Sequence, residues 1–534
     1  MPEEPLTVDV DTLADWLVDG EELALLDARE QGVFLTAHLF HAACIPLSHL
    51  ELQLPALVPR RDTRVVWCDG GSDGLARRAA VRSAELGWTG GRVLDGGVAA
   101  WSVSGREVYA GVNVPSKAFG EHVEHTYGTP RMPAAELRSL LDTGADVVVL
   151  DSRPIEEFRR MSIPTGTACP GAELVHRVKA VVRDPETLVV VNCAGRTRSI
   201  IGSQSLINAG LENRVVALEN GTMGWELAGF DVERDQDVHA PDPPLDARRW
   251  AERSAAEVGR RFGVAHIDHD RLAEWRAEGD RTTYLLDVRT PDEYRAGHLK
   301  DSIGAPGGQL VQATDEYVAT RNARLVLVDD TGVRATMTAS WLRQMGWHDA
   351  VVLDGAFGGQ MLETGNPART SVGRAPTITV ADLAAQLDDG DESMTVVDIG
   401  TSLKYRDRGH IPGAWWGVRS RLDETRAAIG DARTVVLTST DGQLAKLAVA
   451  DAQEQWPDAT VLALAGGNRG WRHAGHDMEL GFTRPTTAAD DVWYKPYDHD
   501  GDVVRRHMEE YLTWEIALVE QLGRDSTVSF PTFE

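Results

Sequence analysis

Eight short apolar runs punctuate the chain, and they come in two kinds. LALLDAR, VVVLDSR, YLLDVR and TVVDIG turn polar at an aspartate: Asp27, Asp151, Asp287 and Asp398. VVWCDGGSD, VVVNCAGRTR, LVLVDDTGVR and VVLTSTDGQL break instead into a loop of small residues, followed by a helix-like stretch such as LARRAAVRSAELG. Unbroken apolar runs, without polar alternation, predict strands of a parallel sheet covered on both faces. Strands alternating with helical stretches predict an α/β domain.

The spacing of these runs shows a repeat. Taking Cys68, Cys193, Asp329 and Ser439 as the first loop residues, each lies 41 or 42 residues after its strand-end aspartate. A third mark follows each loop: LDGGVAAW ending at Trp101, LENGTMGW at Trp225, LDGAFGGQ at Gln360 and LAGGNRGW at Trp471. One domain copied four times accounts for this, with expected boundaries of 1–114, 115–240, 241–374 and 375–485. The third segment includes a Pro/Asp-rich linker, residues 235–250, that begins just before it. The remainder, 486–534, is a tail in which Val504, Met508, Tyr511, Leu512, Ile516, Val519 and Leu522 recur at helical spacing. That amphipathic helix needs a cover, either the last domain or a second copy of the chain in a homodimer.

Composition narrows the partners. The 534 residues carry 82 acidic against 54 basic side chains, a net charge of −28, which disfavours nucleic acid and anionic membrane surfaces. No run is long enough to span a membrane, and the acidic start MPEEPLTVDV has no basic-then-apolar leader. Four cysteines in such a length make no disulfide framework, so a reducing cytoplasm is the expected location. No residue pattern calls for a cofactor or a metal. The pairs His38 and His41, His122 and His125, and His266 and His269 lack partner ligands and read as surface or capping residues, and DHDGD (498–502) falls short of a calcium loop.

Cys68 and Cys193 carry the candidate chemistry. In an open α/β sheet the ligand site lies beyond the carboxyl ends of the strands, where loop amides and a helix N-terminus favour an anion. A cysteine there has its thiolate stabilised. The second loop, Cys193, Ala194, Gly195, Arg196, Thr197 and Arg198, adds two guanidinium groups suited to an oxyanion such as thiosulfate. In the first loop, Cys68, Asp69, Gly70, Gly71, Ser72 and Asp73, two carboxylates oppose a thiolate, so Cys193 is the expected stronger nucleophile. Cys44 and Cys169 lie outside the loops and read as structural. The Asp27/Arg29, Asp151/Arg153 and Asp287/Arg289 pairs read as ties between strand end and neighbouring loop. Trp101, Trp225 and Trp471 read as packing residues.

The strand–D-x-R element, the segments GHLKDS at Gly297 and GHIPGA at Gly409, the cysteine loop and the DGG…W mark together resemble the rhodanese family of sulfurtransferases, as four tandem modules. The resemblance implies four mainly parallel sheets flanked by helices, and a persulfide mechanism with the loop cysteine as nucleophile. A small-molecule sulfur donor, typified by thiosulfate, would charge the cysteine, and a thiol or cyanide would accept the sulfur, with both loops as substrate-binding segments. Cys68 would act in parallel or receive sulfur from Cys193. The third and fourth copies have Asp329 and Ser439 in place of the nucleophile and are expected to be inert. Loss of two nucleophiles sustains the alternative of a non-catalytic or weakly catalytic sulfur-carrier or partner-binding scaffold. A cysteine phosphatase is disfavoured because its arginine would stand six residues after the cysteine, where this chain has Gly74 and Ser199.

Overall fold

The computed structural model describes residues 4–366, 372–389 and 393–533. The four repeats each fold around a parallel sheet with one strand order. In the second repeat the order is Arg131–Met132, Val215–Leu218, Leu188–Asn192, Val147–Asp151 and Thr167–Ala168, all parallel. The third repeats it with Ala265–Ile267, Ala350–Leu353, Arg324–Val328, Thr283–Asp287 and Ile303–Gly304, and the fourth with Thr377–Ile378, Thr460–Leu464, Thr434–Thr438, Met394–Asp398 and Trp415–Trp416. The first runs Leu6–Val8, Gly91–Leu94, Val65–Cys68 and Leu23–Asp27. Along the outer edge of Leu23–Asp27 lie both Ala43–Cys44 and an antiparallel segment lent by the third repeat, Thr320–Arg321. The unbroken apolar runs are the central strands, buried because helices cover both faces of each sheet.

Strand register fixes which residues of the repeats are equivalent. Asp27 lies opposite Cys68, Asp151 opposite Asn192, Asp287 opposite Val328 and Asp398 opposite Thr438. Cys68 is thus the last residue of its strand, the counterpart of Asn192. The position of Cys193 is held by Asp69, Asp329 and Ser439. Backbone bonds agree: the carbonyls of Asp69, Cys193 and Ser439 accept from the N–H groups of Val98, Thr222 and Asn468 at 2.9, 2.8 and 2.9 Å. Pairing Cys68 with Cys193 was therefore one residue out of step.

The Asp/Arg pairs do tie strand end to loop. Arg29, Arg153 and Arg289 each fork onto their aspartate at 2.6–2.7 Å and donate a further bond to the carbonyl of Ala37, Met161 or Gly297. The fourth repeat has Gly400 instead, so among the described residues Asp398 accepts only from the Gly400 amide and the Asn468 side chain, and burial pushes its carboxyl up to about 6. A carboxyl raised in the folded state binds its proton more tightly there than in the unfolded chain. Its contribution to stability is therefore present at low pH and lost as pH rises through about 6. Asp398→Asn removes this loss. Urea unfolding should show the variant gaining on the wild type between pH 4.5 and pH 7 by the order of a few kcal/mol. An equal difference at both pH values would mean that Asp398 is not so perturbed.

Other connections depart from the expected pattern. Helix Leu245–Arg261 begins inside the presumed linker and packs between helices Glu173–Val181 and Val333–Gln344, joining the second and third repeats. The tail forms helix Val503–Leu522, which lies on helix Val114–Tyr127 at the start of the second repeat rather than on the last repeat. Met508 and Leu512 pack with Met223, and Leu518 packs with Phe40, Tyr109 and Ala118. Each such side chain contributes about 1.5–3 kcal/mol. Ile516 stays exposed. His38 is core rather than surface and His41 is half-buried: His38 stacks on Phe34 at 4.0 Å, as His298 does on Tyr294 and His410 on Tyr405. Trp101, Trp225 and Trp471 are buried, each donating its indole N–H to a carbonyl six residues on. Among the described residues, no helix is long and apolar enough to cross a membrane.

Candidate active site

Cys193 follows the strand Leu188–Asn192 directly, and helix Thr197–Asn208 starts four residues later. The intervening loop, 193–196, curls beneath helix Gly221–Leu227. Gly221, at φ +56°, sits so close that a Cβ would stand 2.4 Å from the Cys193 carbonyl oxygen, so only glycine fits. The Cys193 side chain is nearly buried; its Sγ donates to Ser199 Oγ at 3.5 Å, and that hydroxyl donates to the Arg196 carbonyl at 2.8 Å.

The equivalent loops of the other repeats show what such a turn holds. In the first, Asp69 accepts from the amides of Gly71 and Ala76 at 2.8 and 2.9 Å. In the third, Asp329 accepts from Gly332 and Arg334 at 2.6 and 2.9 Å. In the fourth, Ser439 Oγ accepts from Ala445 at 3.3 Å. Three loops fill their own amide cradle with an oxygen of the residue standing where Cys193 stands. In the second repeat, among the described residues, the amides of 194–199 donate to no protein acceptor. An anion-binding turn is left free around a sulfur atom.

Cys193 lines a cavity of about 330 Å³. Its walls come from the first repeat (Gln31, Asn113), the second (Arg153, Glu157), the third (Gln309, Gln312) and the tail (Trp493, Lys495, Tyr497, Tyr511). Arg198 lies on the wall with its guanidinium forked onto Glu157 at 2.8 and 3.0 Å and bonded to Gln309 Oε1 at 3.1 Å. Burial opposes the charge of each partner. The ion pair outweighs that opposition, holding Glu157 at about 2 and Arg198 above the ordinary guanidinium value.

Arg196 is a correction. Its guanidinium is bound to Glu121 at 2.7 and 2.8 Å and also to Glu124, both on helix Val114–Tyr127. It lines the cavity as expected, but its charge is balanced by these two carboxylates rather than left open to a ligand. Thr197 likewise turns its hydroxyl to Glu515 of the tail, at 3.2 Å. Ala194, Gly195, Arg196, Thr197 and Arg198 all line the cavity.

Cys68 is a second correction. It is fully buried beside Asp27, and burial first, then that carboxylate, push its thiol well above the usual range. Six residues rather than four separate its strand from helix Leu75–Glu85, and Gly71, Ser72 and Asp73 form an exposed turn. Cys44 and Cys169 are also pushed up by burial, and all four cysteines are free. Among the described residues, no three His, Cys, Asp or Glu side chains gather as a metal site.

The walls contributed by the first and third repeats and by the tail carry no motif. The one signal was Tyr511, which the apolar stripe of the tail helix included without pointing to a site.

A model of the Rhodanese-like domain matches the chain four times, over residues 9–104, 133–228, 268–359 and 379–474. The structure is similar to that of a thiosulfate sulfurtransferase from Pseudomonas aeruginosa, at 47% identity and a TM-score of 0.95, covering 99% of this chain and 100% of that one. A stretch of 91 residues is 34% identical to the probable adenylyltransferase/sulfurtransferase MoeZ of Mycobacterium tuberculosis, covering 17% of this chain. The chain spans only 23% of that relative's length.

Proposed function

This chain belongs to the rhodanese-like family, and from that premise we propose that it transfers sulfane sulfur from thiosulfate, or a donor like it, through a persulfide on Cys193. One observation carries the reading: of four equivalent turns, three fill their amides with the chain's own oxygen, and only the second places sulfur there with its amides free.

The Cys193 thiolate attacks the outer sulfur of thiosulfate. The S–S bond of the donor breaks, its electron pair leaves with sulfite, and the new S–S bond leaves an anionic persulfide on Cys193. The free amides of the loop and helix start suit that anion, and the Ser199 hydroxyl, turned from the Arg196 carbonyl, adds a donor to the sulfur. Arg198 lines the same cavity and, sharing its charge with Glu157, would be the counter-charge for departing sulfite. A thiol, or cyanide in an assay, then takes the terminal sulfur and restores the thiolate. Arg198 comes five residues after Cys193 and is forked onto Glu157, which argues against an arginine-held phosphate ester.

Mass mapping tests this directly. After thiosulfate and removal of excess donor, one added sulfur atom is expected on the peptide holding Cys193 and none on that holding Cys68. Release of that sulfur to a thiol over many turnovers identifies an enzyme. A single stoichiometric release would support the carrier reading instead.

A further inference from the structure

A second cavity of about 330 Å³ lies where the first repeat, the third repeat and the end of the chain meet. Its walls include Phe40, His41, Arg321, Trp347 and Phe530. Arg321 belongs to the strand that the third repeat lends to the first repeat's sheet.

The buried arginines elsewhere meet carboxylates: Arg29, Arg153, Arg289, Arg334 and Arg419 all have one within 2.8 Å. Arg321 does not. Its Nη1 bonds to His41 Nδ1 at 2.6 Å, its Nη2 donates to the Leu17 carbonyl at 3.4 Å, and its buried Nε has no acceptor. His41 Nε2 lies 3.0 Å from the Thr527 carbonyl, which accepts only from an N–H. The proton is therefore on Nε2, and Nδ1 receives the arginine's bond with the ring neutral. Burial, unopposed by any carboxylate, brings the Arg321 guanidinium down to about 10. Asp315 also lines the cavity, but it accepts from Asn113 Nδ2 at 3.1 Å and is not paired with Arg321.

An unpaired cation partly withdrawn from water is costly, and a bound anion offsets that cost. Much of the remaining wall is apolar, and the volume falls within the range of about 300–1,000 Å³ of small-molecule sites. We propose that this cavity binds a small organic carboxylate with an apolar body, its anion on Arg321 and its body against Phe40, Trp347 and Phe530.

The test is calorimetric titration of the full chain with three probes: hexanoate, hexanol (the same tail without charge) and acetate (the same charge without tail). Hexanoate is expected to bind saturably, at least about tenfold tighter than either control, and Arg321→Gln to weaken it at least about tenfold. Val528→Trp, which fills the cavity from the tail and leaves the guanidinium in place, should do the same and decides the matter if Arg321→Gln fails to fold. No hexanoate binding, hexanol binding as tightly as hexanoate, or undiminished hexanoate binding by a folded variant would overturn the proposal.

Discussion

Cys193→Ser is expected to lower kcat/KM for thiosulfate-dependent sulfur transfer by at least about a thousandfold, while Cys68→Ser stays within about twofold of the wild type. The asymmetry follows from where the two sulfurs stand. Cys193 opens a turn whose amides are free and faces the cavity. A serine there keeps the shape but offers an alcohol too weakly acidic to attack sulfur at neutral pH. Cys68 ends a buried strand beside Asp27, with its thiol pushed well above the usual range, so it neither reaches a donor nor ionises readily. On the same grounds no sulfur relay from Cys193 to Cys68 is expected. Steady-state assays with cyanide and a thiol as acceptors, alongside circular dichroism, make the comparison. Normal turnover by a folded Cys193→Ser, or loss of flux in Cys68→Ser, would move the nucleophile elsewhere.

The repeat was legible because strand ends and turns are local. An aspartate closing an apolar run, a small-residue loop and a buried tryptophan are each set by a few neighbouring residues, and their spacing survived four copies. What misled was residue identity. Asp69 lies 42 residues after Asp27, as Cys193 does after Asp151 and Asp329 after Asp287, yet the adjacent cysteine drew the alignment one position back. In a strand that single step exchanges a core-facing side chain for one at the loop. Arg196 misled differently: a guanidinium next to a nucleophile suggests a substrate contact, but Glu121 and Glu124, over seventy residues upstream, claim it. Nothing in the local sequence announces a partner at that distance.

The proposed function gives the neighbouring repeats a role in the same geometry. Gln31 and Asn113 of the first repeat and Gln309 and Gln312 of the third stand in the wall around Cys193, and Gln309 holds Arg198 at 3.1 Å. The first and third repeats thus help to build the cavity that Cys193 lines.

Glu515→Leu is expected to cost about 3–5 kcal/mol of stability and to loosen the tail from the active-site loop. Glu515 is fully buried, and one of its oxygens collects bonds from Lys117 at 2.9 Å, Thr197 at 3.2 Å and Tyr511 at 3.0 Å. Its other oxygen lies 3.0 Å from where a side chain on Gly195 would begin. One carboxylate therefore joins the tail, helix Val114–Tyr127 and the first turn of helix Thr197–Asn208. Removing it leaves Lys117, itself only 8% exposed, as an uncompensated buried cation. Replacing both partners removes that charge, so Lys117→Met with Glu515→Leu should recover most of the stability in urea unfolding. The double variant still lacks the bonds to Thr197 and Tyr511, and its transfer activity should stay low while its fold is restored. If the double variant regained activity together with stability, the tail would be a clamp on the fold alone. If Glu515→Leu unfolded as the wild type does, the buried pair would not hold the tail at all.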